Sequence, residues 1–192
     1  MNKPTLVFHP MQTNDIGPFC RGLVLALGIC LAAATPLSAQ DNCKAVHEAM
    51  MKVFSTPTHL YDTTDINLNK GAKPRTIETI YVGGSVYTNY PKGWSGGDIT
   101  IEQVMKMEQS NIQNSKDTCR YLHDEPVNGE MAAVFSTHTE RADMNVKSDG
   151  QIWISKRTGL PLRDDIDIDG GSLGGKQHHS TRYEYTNVKA PQ

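Results

Sequence analysis

Thr118-Cys119-Arg120-Tyr121-Leu122-His123-Asp124-Glu125-Pro126-Val127-Asn128-Gly129-Glu130-Met131-Ala132-Ala133-Val134-Phe135-Ser136-Thr137-His138-Thr139 decides the fold of this chain. Two β-prone runs flank Asn128-Gly129, the dipeptide best suited to a two-residue hairpin turn, because both turn positions need positive φ. Such a turn pairs Val127 with Glu130. Carried back without interruption, that register sets His123 opposite Val134, Leu122 opposite Phe135, Tyr121 opposite Ser136 and Cys119 opposite His138. Opposed residues share a face, so Cys119, Tyr121 and Val134 are expected on one side and Leu122, Ala133 and Phe135 on the other. Both faces carry apolar groups. If Cys43 bonds Cys119, the first helix must lie over the Tyr121 side, so the sheet is expected to be helix-covered on its concave side rather than open and one-sided.

Further strands are expected on either side of the hairpin. Thr76 to Val82 and Ser85 to Tyr90 flank Gly83-Gly84, and His59 to Asp62 reads as extended. Gln151 to Lys156, Leu162 to Ile168 and Arg182 to Val188 follow, with turns expected at Asp149-Gly150 and Thr158-Gly159. Ile66 to Lys73 reads as a polar link and Gly170 to Gly175 as a glycine-rich tip. Helical spacing is confined to two segments. Asp41 to Phe54 sets Cys43, Val46, Met50 and Val53 on one face before Pro57. After Ser95 to Asp98, Thr100-Ile101-Glu102-Gln103 reads as a capping box for a second helix that fades by Ser115. Successive strands with short turns and two helices predict an α+β domain: a strongly curved antiparallel sheet, an incomplete β-barrel, covered by the helices.

The N-terminus carries an address. Arg21 precedes an uncharged apolar run to Ala34, and Thr35-Pro36-Leu37-Ser38-Ala39 supplies a breaker and a small-residue cleavage site. Residues 1–39 therefore read as a secretory signal with a long n-region, which a start at Met11 would shorten. The run is short for a bilayer span and no second one follows. Residues 40–192 are expected to form a single domain, periplasmic or secreted. Removing 39 of the 192 residues takes Lys3, Arg21 and Asp15, leaving 153 residues with 17 basic and 20 acidic side chains, a charge of −3. So balanced a charge argues against nucleic acid as a partner. Cys20 and Cys30 leave with the signal. Cys43 and Cys119 then remain in an oxidising compartment without CxxC spacing, which predicts a structural disulfide.

Ile152-Trp153-Ile154-Ser155-Lys156-Arg157-Thr158-Gly159-Leu160-Pro161-Leu162-Arg163 carries a family resemblance. An apolar-Trp-apolar strand, a polar stretch and Thr-Gly-Leu-Pro, set among an early helix, a meander and a mid-chain helix, resemble the outer-membrane lipoprotein-sorting carriers (the LolA/LolB-like superfamily). The mature chain as a whole also resembles small exported proteins of Gram-negative bacteria. The resemblance implies a lidded incomplete barrel enclosing an apolar cavity for acyl chains or another lipid.

The residues themselves offer Met50 and Met105 on the two helices, with Tyr81, Tyr121, Trp153 and Tyr183 on strands, as ligand-binding candidates. Methionine adapts to irregular apolar ligands, and tyrosine and tryptophan add polar handles. Plain core packing would use the same side chains. The functional expectation is a non-enzymatic, monomeric protein that binds an apolar small molecule, a lipid or an envelope protein. The alternatives are a structural or protein-interaction domain with a filled barrel, and a secreted hydrolase.

Other motifs fall short of a site. Asp165-Ile166-Asp167-Ile168-Asp169-Gly170 opens like a calcium loop, but its twelfth position is Lys176 where a bidentate glutamate is required. The alternation reads instead as a strand with acids outside and isoleucines inside. His178 and His179 point to opposite faces of an extended segment, and the hairpin register keeps His123 far from His138, so no metal site is expected. Ser180 lies in no G-x-S-x-G setting, Gly170 to Gly175 lacks the helix and lysine of a phosphate loop, and no cofactor is expected.

Overall fold

The structure, a computed structural model, describes residues 39–66, 73–170 and 175–192. Most of the signal segment, the body of the Ile66–Lys73 link and the middle of the Gly170–Gly175 tip lie outside the described residues. The elements run α1 (Ala39–Phe54), β1 (Thr58–Ile66), β2 (Arg75–Val82), β3 (Ser85–Tyr90), β4 (Gly93–Thr100), α2 (Ile101–Asn114), β5 (Lys116–Val127), β6 (Glu130–Arg141), β7 (Val146–Ser155), β8 (Pro161–Gly170) and β9 (Lys176–Glu184). Among the described residues the strands form one open antiparallel sheet in the order β4-β3-β2-β1-β9-β8-β7-β6-β5.

The decisive hairpin forms, with Asn128 at φ 51° and Gly129 at φ 83°. Val127 pairs with Glu130 and His123 with Val134, and the ladder then shifts: Tyr121 pairs with Phe135 and Cys119 with Thr137. A β-bulge at Leu122 inserts one residue and reverses the face assignment beyond it. The uninterrupted register is therefore corrected: Phe135 lies with Cys119 and Tyr121, and Val134 lies with Leu122. The sheet does carry two cores. On one face Cys43, Val46 and Ala49 of α1 pack on Cys119, Phe135, Ile152 and Ile154. On the other, Ala132, Val134 and Trp153 pack beneath Leu122, Val127 and Leu162.

Three further expectations are corrected. Ser95 to Asp98 belongs to β4, where Tyr87 lies so close to Gly96 that a Cβ there would come within 2.2 Å of its ring. Asp149-Gly150 is not a turn but the middle of β7, where a Cβ on Gly150 would meet the Asp165 carbonyl at 2.6 Å. This glycine admits close strand approach, and the turn falls instead before Val146, at Asn145 with φ 50°. The last strand spans Lys176–Glu184 and not Arg182 to Val188; Asn187, at φ 58°, cannot continue extended chain.

The second helix begins where its capping box predicts: Gln103 N–H donates to Thr100 Oγ1 at 3.2 Å, and Thr100 N–H donates to Gln103 Oε1 at 2.8 Å. The Trp-to-Pro motif forms the end of β7 and a tight turn. Ser155 Oγ accepts from the Arg157 and Thr158 amides, Ser155 N–H donates to Leu160 O at 2.9 Å, and Lys52 near the end of α1 donates to the Thr158 carbonyl. This turn thus holds the C-terminal end of α1 against the sheet.

Candidate functional site

Cys43 and Cys119 form a disulfide across 76 positions, which ties α1 to β5. The bridge sets its neighbours. His47 is one helical turn beyond Cys43, and Asp117 is two residues before Cys119 on the same face of the strand. His47 Nε2 consequently lies 2.8 Å from Asp117 Oδ2, and Ser115 Oγ donates to that same oxygen at 2.8 Å. Asp117 Oδ1 is buried and has no hydrogen-bond partner among the described residues.

These groups border a cavity of about 410 Å³ between the two helices and the sheet. Val46 and Met50 of α1 and Ile112 of α2 form apolar walls, and Ile152, Ile166 and Ile168 form the floor. Asp164 shares that floor, while Glu108, Asn111 and Arg141 stand at the α2 side. The Arg141 guanidinium is already engaged. Its Nε and Nη2 donate to the two Asp143 oxygens at 2.9 and 2.8 Å, and its Nη1 donates to Asn111 Oδ1 at 2.7 Å. A hollow of about 630 Å³ at the β5–β6 turn is bordered by Asn128, Gly129, Glu130, Met131, Lys156 and Arg157. Four of those six residues carry polar or charged side chains, which suits an apolar ligand poorly.

Asp164 is the chemically unusual group. It is 4% exposed, and burial pushes its carboxyl up to about 6, although hydrogen bonds from Tyr183 and Thr181 work in the opposite direction. Tyr183 OH donates to Asp164 Oδ2 at 2.5 Å, and burial holds that phenol well above its ordinary value.

The six residues singled out from sequence are dispersed. Met50 is in the cavity wall, and its sulfur lies 4.0 Å from the Tyr183 hydroxyl beside Asp164. Tyr81 packs edge-on against Phe54 of α1 at 5.3 Å, and Met105 is half-buried on α2. Tyr121 is half exposed, edge-on to Phe135. Trp153 lies on the opposite sheet face, where its indole N–H donates to Glu125 and the Arg163 guanidinium stacks 4.7 Å above its ring. Sequence reasoning missed Asp164, His47 and Asp117. Alternation held the signal for Asp164, which has the same parity as Ile166 and Ile168 and so faces inward with them. For His47 and Asp117 the signal was the anticipated disulfide itself.

The remaining polar constellations hold each other. His178 Nδ1 lies 2.9 Å from Asp167 Oδ1, and His179 Nδ1 lies 3.3 Å from both Asp62 oxygens on the other face. Among the described residues no group of three or more histidine, cysteine, aspartate or glutamate side chains is placed to hold a metal ion. Ser115 and Ser180 donate to Asp117 and Asp165 respectively, neither to a histidine. No helix among the described residues is long and apolar enough to cross a membrane.

No protein-family model and no curated protein matches the sequence. Solved structures similar to this one include that of LprF from Mycobacterium bovis, at 6% identity and a TM-score of 0.42, covering 81% of this chain and 99% of that one. MucB, solved in complex with MucA(peri), is 14% identical with a TM-score of 0.40 over 81% of this chain; the match spans 57% of MucB. A DUF1329 family protein from Desulfovibrio piger is 10% identical with a TM-score of 0.28, over 77% of this chain and 94% of that one.

Proposed function

We propose that this chain is an exported, non-enzymatic binding protein of the periplasm, which holds the apolar chain of a lipid or acyl group between its helices and its sheet. Residues 1–39 serve as the signal in this reading. The mature domain, 40–192, works as a monomer, with the sheet curved into an incomplete barrel of the lipoprotein-carrier kind. The observation that carries the proposal is the cavity of about 410 Å³ with isoleucines on its floor and Val46, Met50 and Ile112 on its walls. Small-molecule sites have this size and this mostly apolar lining with a few convergent polar groups. Met50 is the anticipated residue on the cavity wall, and Tyr183 stands behind the lining, bonded to Asp164. The disulfide keeps α1 on β5, so the ligand enters beside α2, which has no fully buried residue.

Titration with 1-N-phenylnaphthylamine, an apolar fluorophore that brightens on leaving water, tests the reading. The wild-type protein is expected to enhance its emission saturably at about one dye per chain. An Ile166→Trp variant, whose indole occupies the cavity, is expected to lose most of that enhancement while remaining folded by circular dichroism. Dye binding absent from the wild type, or equal in the folded variant, overturns the reading.

A further inference from the structure

We infer that the cavity takes one alkyl chain of about ten to fourteen carbons, which makes its ligand a single-chain amphiphile and not a two-chain phospholipid. The inference rests on the reading of the cavity as an apolar-chain site and adds the number and length of the chains it accepts. Two measures of the cavity agree. At about 30 Å³ for a methylene, close to a water molecule's share of the liquid, its volume of about 410 Å³ holds about fourteen carbons. Asp164, Ile166 and Ile168 are successive inward positions of β8, so the floor spans about 13 Å, the reach of an extended chain of about ten carbons.

The walls fix that capacity. Burial deepens along the floor, from half-buried Ile168 and Ile166 to buried Asp164. Past Asp164 the same sheet face is filled by Ile154 and Tyr183, both buried, and the Met50 sulfur lies 4.0 Å from the Tyr183 hydroxyl. A chain therefore ends there, and its head stays at the other end, beside exposed Asn111. The α1 wall cannot retreat, because the Cys43–Cys119 disulfide holds its start and the hydrogen bond from Lys52 to the Thr158 carbonyl holds its finish. A second chain would stay in water, where each uncovered methylene forfeits about fourfold in affinity. A two-chain lipid gives up bilayer cover for both chains and regains it for one.

The test is displacement of bound 1-N-phenylnaphthylamine from the full chain by lysophosphatidylcholines of eight, ten, twelve, fourteen and sixteen carbons, each below its micellar concentration. The half-displacing concentration is expected to fall about tenfold for each added pair of carbons up to the capacity, then by less than about twofold from fourteen to sixteen. Met50→Ala clears part of the wall and is expected to move the break to chains about two carbons longer. Val134→Ala, on the opposite sheet face, is expected to leave it in place. After incubation with vesicles of dihexadecanoylphosphatidylcholine, native mass spectra are expected to show bare chain alone. A concentration that keeps falling at the same rate to sixteen carbons, or is flat from eight, overturns the inference while leaving chain binding standing. A retained two-chain lipid does the same, as does a break that folded Met50→Ala leaves unmoved or that Val134→Ala moves as far. Failure of every lysophosphatidylcholine to displace the dye overturns the reading of the cavity as an apolar-chain site, and the inference with it.

Discussion

Asp164→Asn is expected to stabilise the protein by an amount that grows with pH. Burial raises the carboxyl from its ordinary 3.8 to about 6, so the folded chain keeps a proton that the unfolded chain releases between those values. The sign follows from linkage. Where the native state binds more protons, stability falls as pH rises, so this group's favourable contribution is whole below 3.8 and gone above 6. At about 1.4 kcal/mol per tenfold change in proton affinity, the loss is about 3 kcal/mol at pH 7.5 and about 1 kcal/mol at pH 4.5. Asparagine cannot ionise, and its carbonyl oxygen still accepts from the Tyr183 hydroxyl, which lies 2.5 Å from Asp164 Oδ2. Urea unfolding followed by circular dichroism at the two pH values is the assay. The difference between variant and wild type should increase by about 2 kcal/mol from pH 4.5 to 7.5. A difference that stays flat or shrinks would refute the assignment of a buried, proton-retaining carboxyl at this position.

Replacing Cys43 and Cys119 together by serine removes a link across 76 positions and should cost about 4 kcal/mol on the chain-entropy account, read as a lower urea midpoint that dithiothreitol no longer shifts. Gly150→Ala drives a methyl group to within 2.6 Å of the Asp165 carbonyl and should destabilise by about 1–3 kcal/mol through forced separation of β7 and β8, measured by thermal unfolding. Val134→Ala empties a fully buried position on the second sheet face and should cost about 2 kcal/mol while leaving dye binding in the opposite-face cavity unchanged.

The meander and both helices were legible because their signals are local. Asn128-Gly129 admits the required positive φ at two successive positions, Thr100 and Gln103 form a reciprocal cap, and period-two alternation marks the inward isoleucines of β8. Two of the errors share one cause, since each depends on what a partner strand requires. The bulge at Leu122 changes which residues share a face without altering the composition of either strand. Asp149-Gly150 has the composition of a turn, yet β8 needs that glycine for close approach. The candidate site was legible only in part. Aromatic and methionine side chains were read as ligand contacts on residue type alone, and residue type does not say which face a strand presents. The polar half of the site follows from geometry already implied by the sequence: Asp164 by parity with Ile166, and His47 with Asp117 by offset from the two cysteines.

Native mass spectrometry of the protein, expressed as the full chain and purified from cells without detergent, tests the central claim most directly. The account predicts a population heavier than the bare chain by the mass of one amphiphile, released on collisional activation and absent from Ile166→Trp. A spectrum of bare chain alone, unchanged after incubation with dodecyl amphiphiles, would contradict it.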